Sequence, residues 1–399
     1  MEVPTVKNKK KLENLESIFK RCGERAAGYD RENRFFTEDF EELKEAGYLL
    51  MPIPEELGGY GYSMAEVMEK QRALAYFAAP TALALNMHLY WMGAAADLRR
   101  MGDRSLEWLL REGAKGEVFA AGHAESGNDH PVVWSTTEAV PVKGGYRFRG
   151  HKHFSSLTPV WTYMGLHGLD TSDPENPRVV HAFVPRDTPG VTIKRTWDDV
   201  LGMRATRSDD TILVDVFVPE EYIATVVPAG FKNMAPLTGT SFIWFLAGIS
   251  NIYLGLARQI FDRTLGAVQR KKSMALTRPL MIHHPGIQND IAEIFIELEG
   301  MTPQIDRLAQ EWSSGIDHGQ AWPLKFIAAK ARITEAAWRI ADRSIELAGG
   351  FGIFPASHME RLFRDARLGR IHPTNTYLSR EMIGKAMLGI DWDEQPRWG

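Results

Sequence analysis

The apolar residues of this chain change period twice, and those changes limit the folds open to it. Up to about residue 118 they recur at helical spacing: Leu12, Leu15, Ile18 and Phe19, then Phe40, Leu43 and Leu49. An apolar stretch from Ala73 to Leu98 reads as a buried helix. A connection rich in turn residues, Met51 to Tyr62, carries Pro52, Pro54, Gly58, Gly59 and Gly61. From Val118 to Val227 the pattern alternates instead. VVWSTTEAVPVKGGYRFRGHKHFSS reads as strand, tight turn and strand, with Gly144-Gly145 supplying the positive φ of the turn. RVVHAFVP, GVTIKRTW and TILVDVFVP read as further strands, with Pro131, Pro159, Pro185 and Pro219 at strand or loop ends. From Pro236 the period is helical again, and Ile287, Ile291, Ile294 and Leu298 form one stripe. Runs segregated in this way imply an α+β chain of separate domains, placed at residues 1–118, 119–229 and 230–399.

Composition narrows the function classes. A net charge of −4 argues against nucleic-acid and membrane-surface partners, which favour a basic excess. The single cysteine, Cys22, excludes an intramolecular disulfide and fits a reducing compartment. The first residues lack an apolar signal core, and no run approaches the roughly 20 apolar residues of a membrane span. A cytoplasmic location is therefore expected. No Cys/His spacing suggests structural zinc, so no metal is expected either.

One stretch stands out, Gly349 to Arg380: GGFGIFPASHMERLFRDARLGRIHPTNTYLSR. Two adjacent glycines and Gly352 break a helical pattern. The next helix spaces Glu360 from Arg364, and Arg361 from Asp365, at i, i+4, so each pair can meet on one face. Charges beside a glycine turn suit an anionic ligand, because glycine lets backbone N–H groups approach closely. A helix cap followed by a solvated helix would read the same way.

These residues resemble the C-terminal signature of the acyl-CoA dehydrogenase family of flavoproteins, GGxGY, ERxxRDAR and IYEGTxxIxxR. PEELGGYG and LGMRATRSDDTILVDVFVPEEYI (Leu201 to Ile223) are similar to further family markers, so the resemblance covers almost the whole chain. It implies an N-terminal helical domain, a middle β-barrel and a C-terminal four-helix bundle. It also implies FAD, an acyl-CoA or acyl-carrier-protein substrate, an electron-acceptor flavoprotein or flavin reductase, and a homodimer or homotetramer with flavin sites shared between subunits.

The resemblance also nominates residues. GHAESGND resembles a shortened form of the flavin loop TEPxAGSD and places His123 and Asn128 at the cofactor. GYRFRGHKHFSS resembles YxLNGxKxWITN. Phe154 stands for the tryptophan that packs on the flavin, Ser156 for the hydroxyl that donates to flavin N5, and Ser155 lies between them. Arg270 matches an arginine that reaches the FAD diphosphate of a neighbouring subunit, where a planar fork bonds two oxygens. Gly349, Gly350 and Asn375 join the same cofactor set.

One departure bears on the chemistry. The glutamate of IYEGT, which takes the substrate α-proton in the family, is here Pro373. The helix lining the family's acyl pocket, Thr238 to Ala257, has no Asp or Glu. The expected activity is FAD-dependent oxidation of an acyl thioester at its α,β carbons, with His372 as stand-in base. A two-component flavin-dependent monooxygenase, which needs no such base, is the alternative, and a non-catalytic flavin- or acyl-binding protein is the third reading. Phe242, Trp244 and Phe245 would shorten a straight acyl pocket, or else form ordinary core.

Overall fold

Helix α1 (Leu15–Glu32) turns Leu15, Ile18, Phe19, Cys22 and Ala26 inward, and α2 (Thr37–Glu45) does the same with Phe40 and Leu43. The computed structural model describes residues 12, 14–129 and 132–393; Pro131, read above as a strand or loop end, lies outside them. α3 (Met64–Arg100) starts on a reciprocal cap between Ser63 and Glu66. It is broken at Ala78, two residues before Pro80, where the proline ring crowds the preceding turn. α4 (Glu107–Lys115) completes the N-terminal helices.

The middle of the chain forms one eight-stranded sheet. Its strands are β1 (Phe119–Gly122), β2 (Glu138–Val142), β3 (Gly145–Ser155), β4 (Tyr163–Asp170), β5 (Arg178–Pro185), β6 (Val191–Lys194), β7 (Asp209–Pro219) and β8 (Ile223–Pro228). The order is β6-β7-β3-β2-β4-β5-β8, with β1 alongside β4. The β2–β3 hairpin differs by one residue from its sequence reading. Val142 pairs with Gly145, so the loop is Lys143-Gly144, and Gly144 alone takes the left-handed turn conformation, at φ 84°. Gly145 is required for another reason: a Cβ there would strike the Val218 carbonyl of β7.

Among the described residues five α-helices follow: α5 (Pro236–Arg270), α6 (Pro285–Ser313), α7 (Ala321–Ala348), α8 (Met359–Arg367) and α9 (Thr376–Leu388). Among the described residues α5 is long and apolar enough to cross a membrane by length and composition, against the sequence expectation, but 94% of its apolar window is buried. Glycine lets it lie close to α3, since a Cβ on Gly248 would overlap Asn86. Trp244 belongs to this helix packing. Its indole N–H and that of Trp312 both donate to Asp97 Oδ2, at 2.8 and 2.6 Å.

The three regions meet at α8. Arg364 donates to both carboxylate oxygens of Asp30 on α1 (3.1 and 2.6 Å), to Leu201 O (2.8 Å) and to Glu360 on its own helix (2.7 Å). Its neighbour Asp365 accepts the Met203 N–H at 2.6 Å. The two most distinctive stretches of the sequence, LGMR and ERLFRDAR, are thus in contact.

Candidate functional site

The loop after β1 is built around one carboxylate. Glu125 Oε1 accepts from Lys152 Nζ at 2.5 Å, from Ser135 Oγ at 2.7 Å and from the Thr137 N–H at 3.1 Å. Its Oε2 accepts from Asn128 Nδ2 at 2.8 Å and the Thr136 N–H at 3.0 Å. Burial pushes this carboxyl up, but the Lys152 charge and the hydrogen bonds outweigh it and hold it at about 2. Lys152 is fully buried; burial lowers it to about 8, with Glu125 working the other way. Asn128 also donates to Trp134 O, so the amide nominated for the flavin braces the loop.

At the end of β3 the backbone turns abruptly. Phe154 takes φ 58°, unusual for a bulky residue, and the β3–β7 register shifts between Lys152 and Ser155. The result is that Phe154, which simple alternation would bury beside Lys152, is 59% exposed, with Trp197 edge-on to it. Ser155 points inward and accepts from Thr211 Oγ1 at 3.2 Å. Ser156 begins a chain of hydroxyls: Ser156 Oγ to Ser208 Oγ (2.8 Å), Ser208 to Thr206 Oγ1 (2.7 Å), and Thr206 to Met203 O (2.9 Å). Each hydroxyl has one proton, and a carbonyl only accepts. Thr206 must therefore donate to Met203, Ser208 to Thr206, and Ser156 to Ser208. Ser156 is left presenting lone pairs, the reverse of the donor that the resemblance implied.

His123 is enclosed between α3 and the sheet. Tyr90 OH lies 3.5 Å from its Nδ1, its ring lies against Trp91 and His167, and its Nε2 has no hydrogen-bond partner among the described residues. Burial, then the His181 and Lys152 charges, lowers it to about 3, so it is a neutral imidazole.

The remaining nominated residues gather in the C-terminal helices. Arg270, the last residue of α5, joins Arg263, Phe351, Gly352 and Ser357 around a recess of about 290 Å³. Gly349 caps α7 at φ 72° and Gly350 follows it. Asn375 caps α9, its Oδ1 accepting from the Tyr377 and Leu378 N–H groups at 3.0 Å each. His372 is half-buried, with Nε2 3.0 Å from the Tyr253 hydroxyl. Burial, then the Lys330 charge, lowers it to about 3. That is the opposite of what removal of an α-proton demands.

Lys330 on α7 went unread in the sequence, although a lysine on the apolar stripe of Phe326, Ile327 and Ile333 was its signal. Its Nζ donates to His372 O (2.8 Å) and Thr374 O (2.6 Å), fixing the segment around Pro373. Burial lowers it to about 7. A neutral amine still has the two N–H groups these carbonyls need. Between pH about 7 and the free-lysine value near 10.4 the unfolded chain holds a proton that the folded chain has lost, so stability rises with pH across that window. Lys330→Met is expected to flatten the rise, which urea unfolding at pH 7 and 9 would measure.

This arrangement can be set beside known proteins. The acyl-CoA dehydrogenase C-terminal domain matches residues 247–388 and the acyl-CoA dehydrogenase N-terminal domain matches residues 16–105. The chain belongs to the acyl-CoA dehydrogenase family. Its relatives within that family diverge in what they are named for. A putative acyl-CoA dehydrogenase, YdbM of Bacillus subtilis, is 27% identical over 91% of this chain and 92% of its own length. L-evernosamine nitrososynthase of a Micromonospora species is also 27% identical, over 95% and 90%. A solved structure of KijD3 in complex with FMN and dTDP-3-amino-2,3,6-trideoxy-4-keto-3-methyl-D-glucose is 25% identical, with a TM-score of 0.81 over 98% of this chain and 96% of that one. As an acyl-CoA dehydrogenase family member the chain is a flavin-dependent oxidoreductase in the general sense.

Proposed function

We propose that this chain is a flavin-dependent monooxygenase that receives reduced flavin from a separate reductase and oxygenates an amine nitrogen. The observation that carries the reading is the missing base: Pro373 stands where a carboxylate would be, and the adjacent His372 is paired with Tyr253 and lowered in basicity. The relatives named as nitrososynthases support the amine as substrate class. The end of β3 fits a flavin, because an exposed Phe154 ring with Trp197 at its edge offers an apolar platform, and the buried Ser156 hydroxyl lies two residues further on. Bound there, reduced flavin would supply the two electrons with which O2 delivers one oxygen atom to the substrate and the other, with two protons, to water. The acceptor polarity of Ser156 supports the reduced state, whose N5 carries a hydrogen where oxidised flavin has a lone pair.

FAD rather than FMN, and a homodimer or homotetramer, remain part of the proposal through Arg270 and Arg263. Their recess beside the Gly349–Gly352 turn would suit the diphosphate of a flavin held by a second copy. Acyl-thioester oxidation is the second reading, favoured by the relative named as a putative acyl-CoA dehydrogenase. The two separate in one pair of experiments. Acyl-CoAs of varied length, added anaerobically to the flavin-loaded protein, are expected to leave the visible flavin band intact. Reduced flavin, O2 and a panel of amines are expected to give an N-oxygenated product. Bleaching by an acyl-CoA would reverse the assignment, and His372→Ala should then cost about 10²–10⁴ in turnover, as loss of a general base does.

A further inference from the structure

A second polar cluster lies on the outer face of the sheet, apart from the residues used above. His151 and His153 are two apart on β3, so the strand's period of two sends both to one face while Lys152 goes into the core. β7 runs antiparallel beside them with Ile212 opposite His151, which puts Asp210 on that same face. The donor atoms converge. His151 Nε2 is 2.8 Å, and His153 Nδ1 3.0 Å, from the same oxygen, Asp210 Oδ2. The ring centroids are 4.1 Å apart, and all three ligand atoms fall within 4.8 Å of one another.

We propose that His151, His153 and Asp210 form a binding site for a divalent transition metal with zinc-like preferences, its remaining positions filled by water. The chemistry of the donors selects the ion. Two imidazoles and one carboxylate are ligands for Zn²⁺ and its neighbours rather than for Ca²⁺ or Mg²⁺, which take oxygen. Charge points the same way. Among the described residues the ion-pair partners of Asp210 are these two histidines, with no Lys or Arg. With neutral imidazoles the set carries a net charge of about −1, which a dication offsets. Metal bonds of about 2.0–2.2 Å place tetrahedral donors about 3.3 Å apart. The two histidine–aspartate distances of 2.8 and 3.0 Å therefore have to open by a few tenths of an ångström, and the third pair of donors already lies within 4.8 Å. Access is available: the side chains of His151 and His153 are 38% and 25% exposed, while Asp210 at 8% is held by the sheet.

The site is placed to affect the strand end that carries Phe154. The His153 N–H bonds to Ala124 O in the β1 loop at 2.9 Å, and its ring lies 5.9 Å from that of Phe154. A bound ion would cross-link β3 to β7 one residue before the turn at Phe154.

Zn²⁺ alone, titrated into untagged full-length protein against a chromophoric chelator, is expected to bind at one saturable site. His151→Ala, His153→Ala and Asp210→Asn, each checked for an unchanged melting profile, should weaken it at least tenfold. Co²⁺ at the same site should show the intense visible absorption of low coordination, and lose it in each variant. Absence of saturable binding in the wild type, or equal affinity in all three variants, overturns the proposal and leaves the cluster as a pair of histidine–aspartate hydrogen bonds.

Discussion

Replacing Lys152 with methionine is expected to destabilise the protein by about 3–5 kcal/mol, the usual cost of removing one partner from a buried ion pair. The lysine is fully buried and bonds Glu125 Oε1 as well as His167 O at 2.6 Å. Without it Glu125 remains charged and enclosed, held by neutral donors only. The double variant Lys152→Met with Glu125→Gln should recover a large part of the loss, because it removes both charges and keeps an acceptor for Ser135 and Thr137. Denaturant unfolding of the wild type and the two variants at pH 7 measures both effects. Acid should mimic the single change. Glu125 is depressed to about 2 in the folded state, so its contribution is complete above the unfolded value near 4.3 and disappears as pH falls toward 2. A Lys152→Met protein as stable as the wild type would mean that the loop closes without the pair.

The second prediction concerns which flavin the site prefers. In the wild type the hydroxyl chain ends on the Met203 carbonyl, and the Ser156 proton is committed to Ser208. Ser208→Ala frees that proton. Ser156 can then donate to the bare N5 of oxidised flavin, while its claim on the N–H of the reduced form weakens. With one hydrogen bond gained to oxidised flavin, about 0.5–1.5 kcal/mol, the ratio of the two dissociation constants should move roughly two- to tenfold toward oxidised flavin. Equilibrium binding of both redox states under anaerobic conditions reads the ratio directly. An unchanged ratio would place Ser156 away from N5 and remove this support for the monooxygenase reading.

The architecture was legible in the sequence because it rests on periodicity. Ile294 and Leu298 of the α6 stripe are buried as their spacing requires, and the strands RVVHAFVP and TILVDVFVP lie where alternation put them. Part of what escaped was set by contacts between distant residues. The turn at Gly144 was shifted because Gly145 answers to Val218, 73 positions further on. Asn128 and Asn375 point toward a cofactor by their motifs alone; the structure adds that Asn128 also donates to Trp134 O and that Asn375 caps α9, uses that short polar side chains at turns and helix starts commonly have. The polarity of Ser156 was beyond any local reading, since it is decided two hydroxyls away. His372 was a plausible base by residue type, and only its burial, with the Lys330 charge nearby, shows how far its basicity falls.

Arg364 has a bearing on how the molecule comes apart. One guanidinium clasps the first helix, the loop before β7 and its own helix, and the adjacent Asp365 holds a backbone N–H of that loop. No region can detach without stranding a charge that the other two have enclosed. The chain should accordingly lose heat capacity structure in one calorimetric peak instead of three, and a fragment ending before Met359 should fail to behave as an autonomous folding unit even though every strand of the sheet would be present.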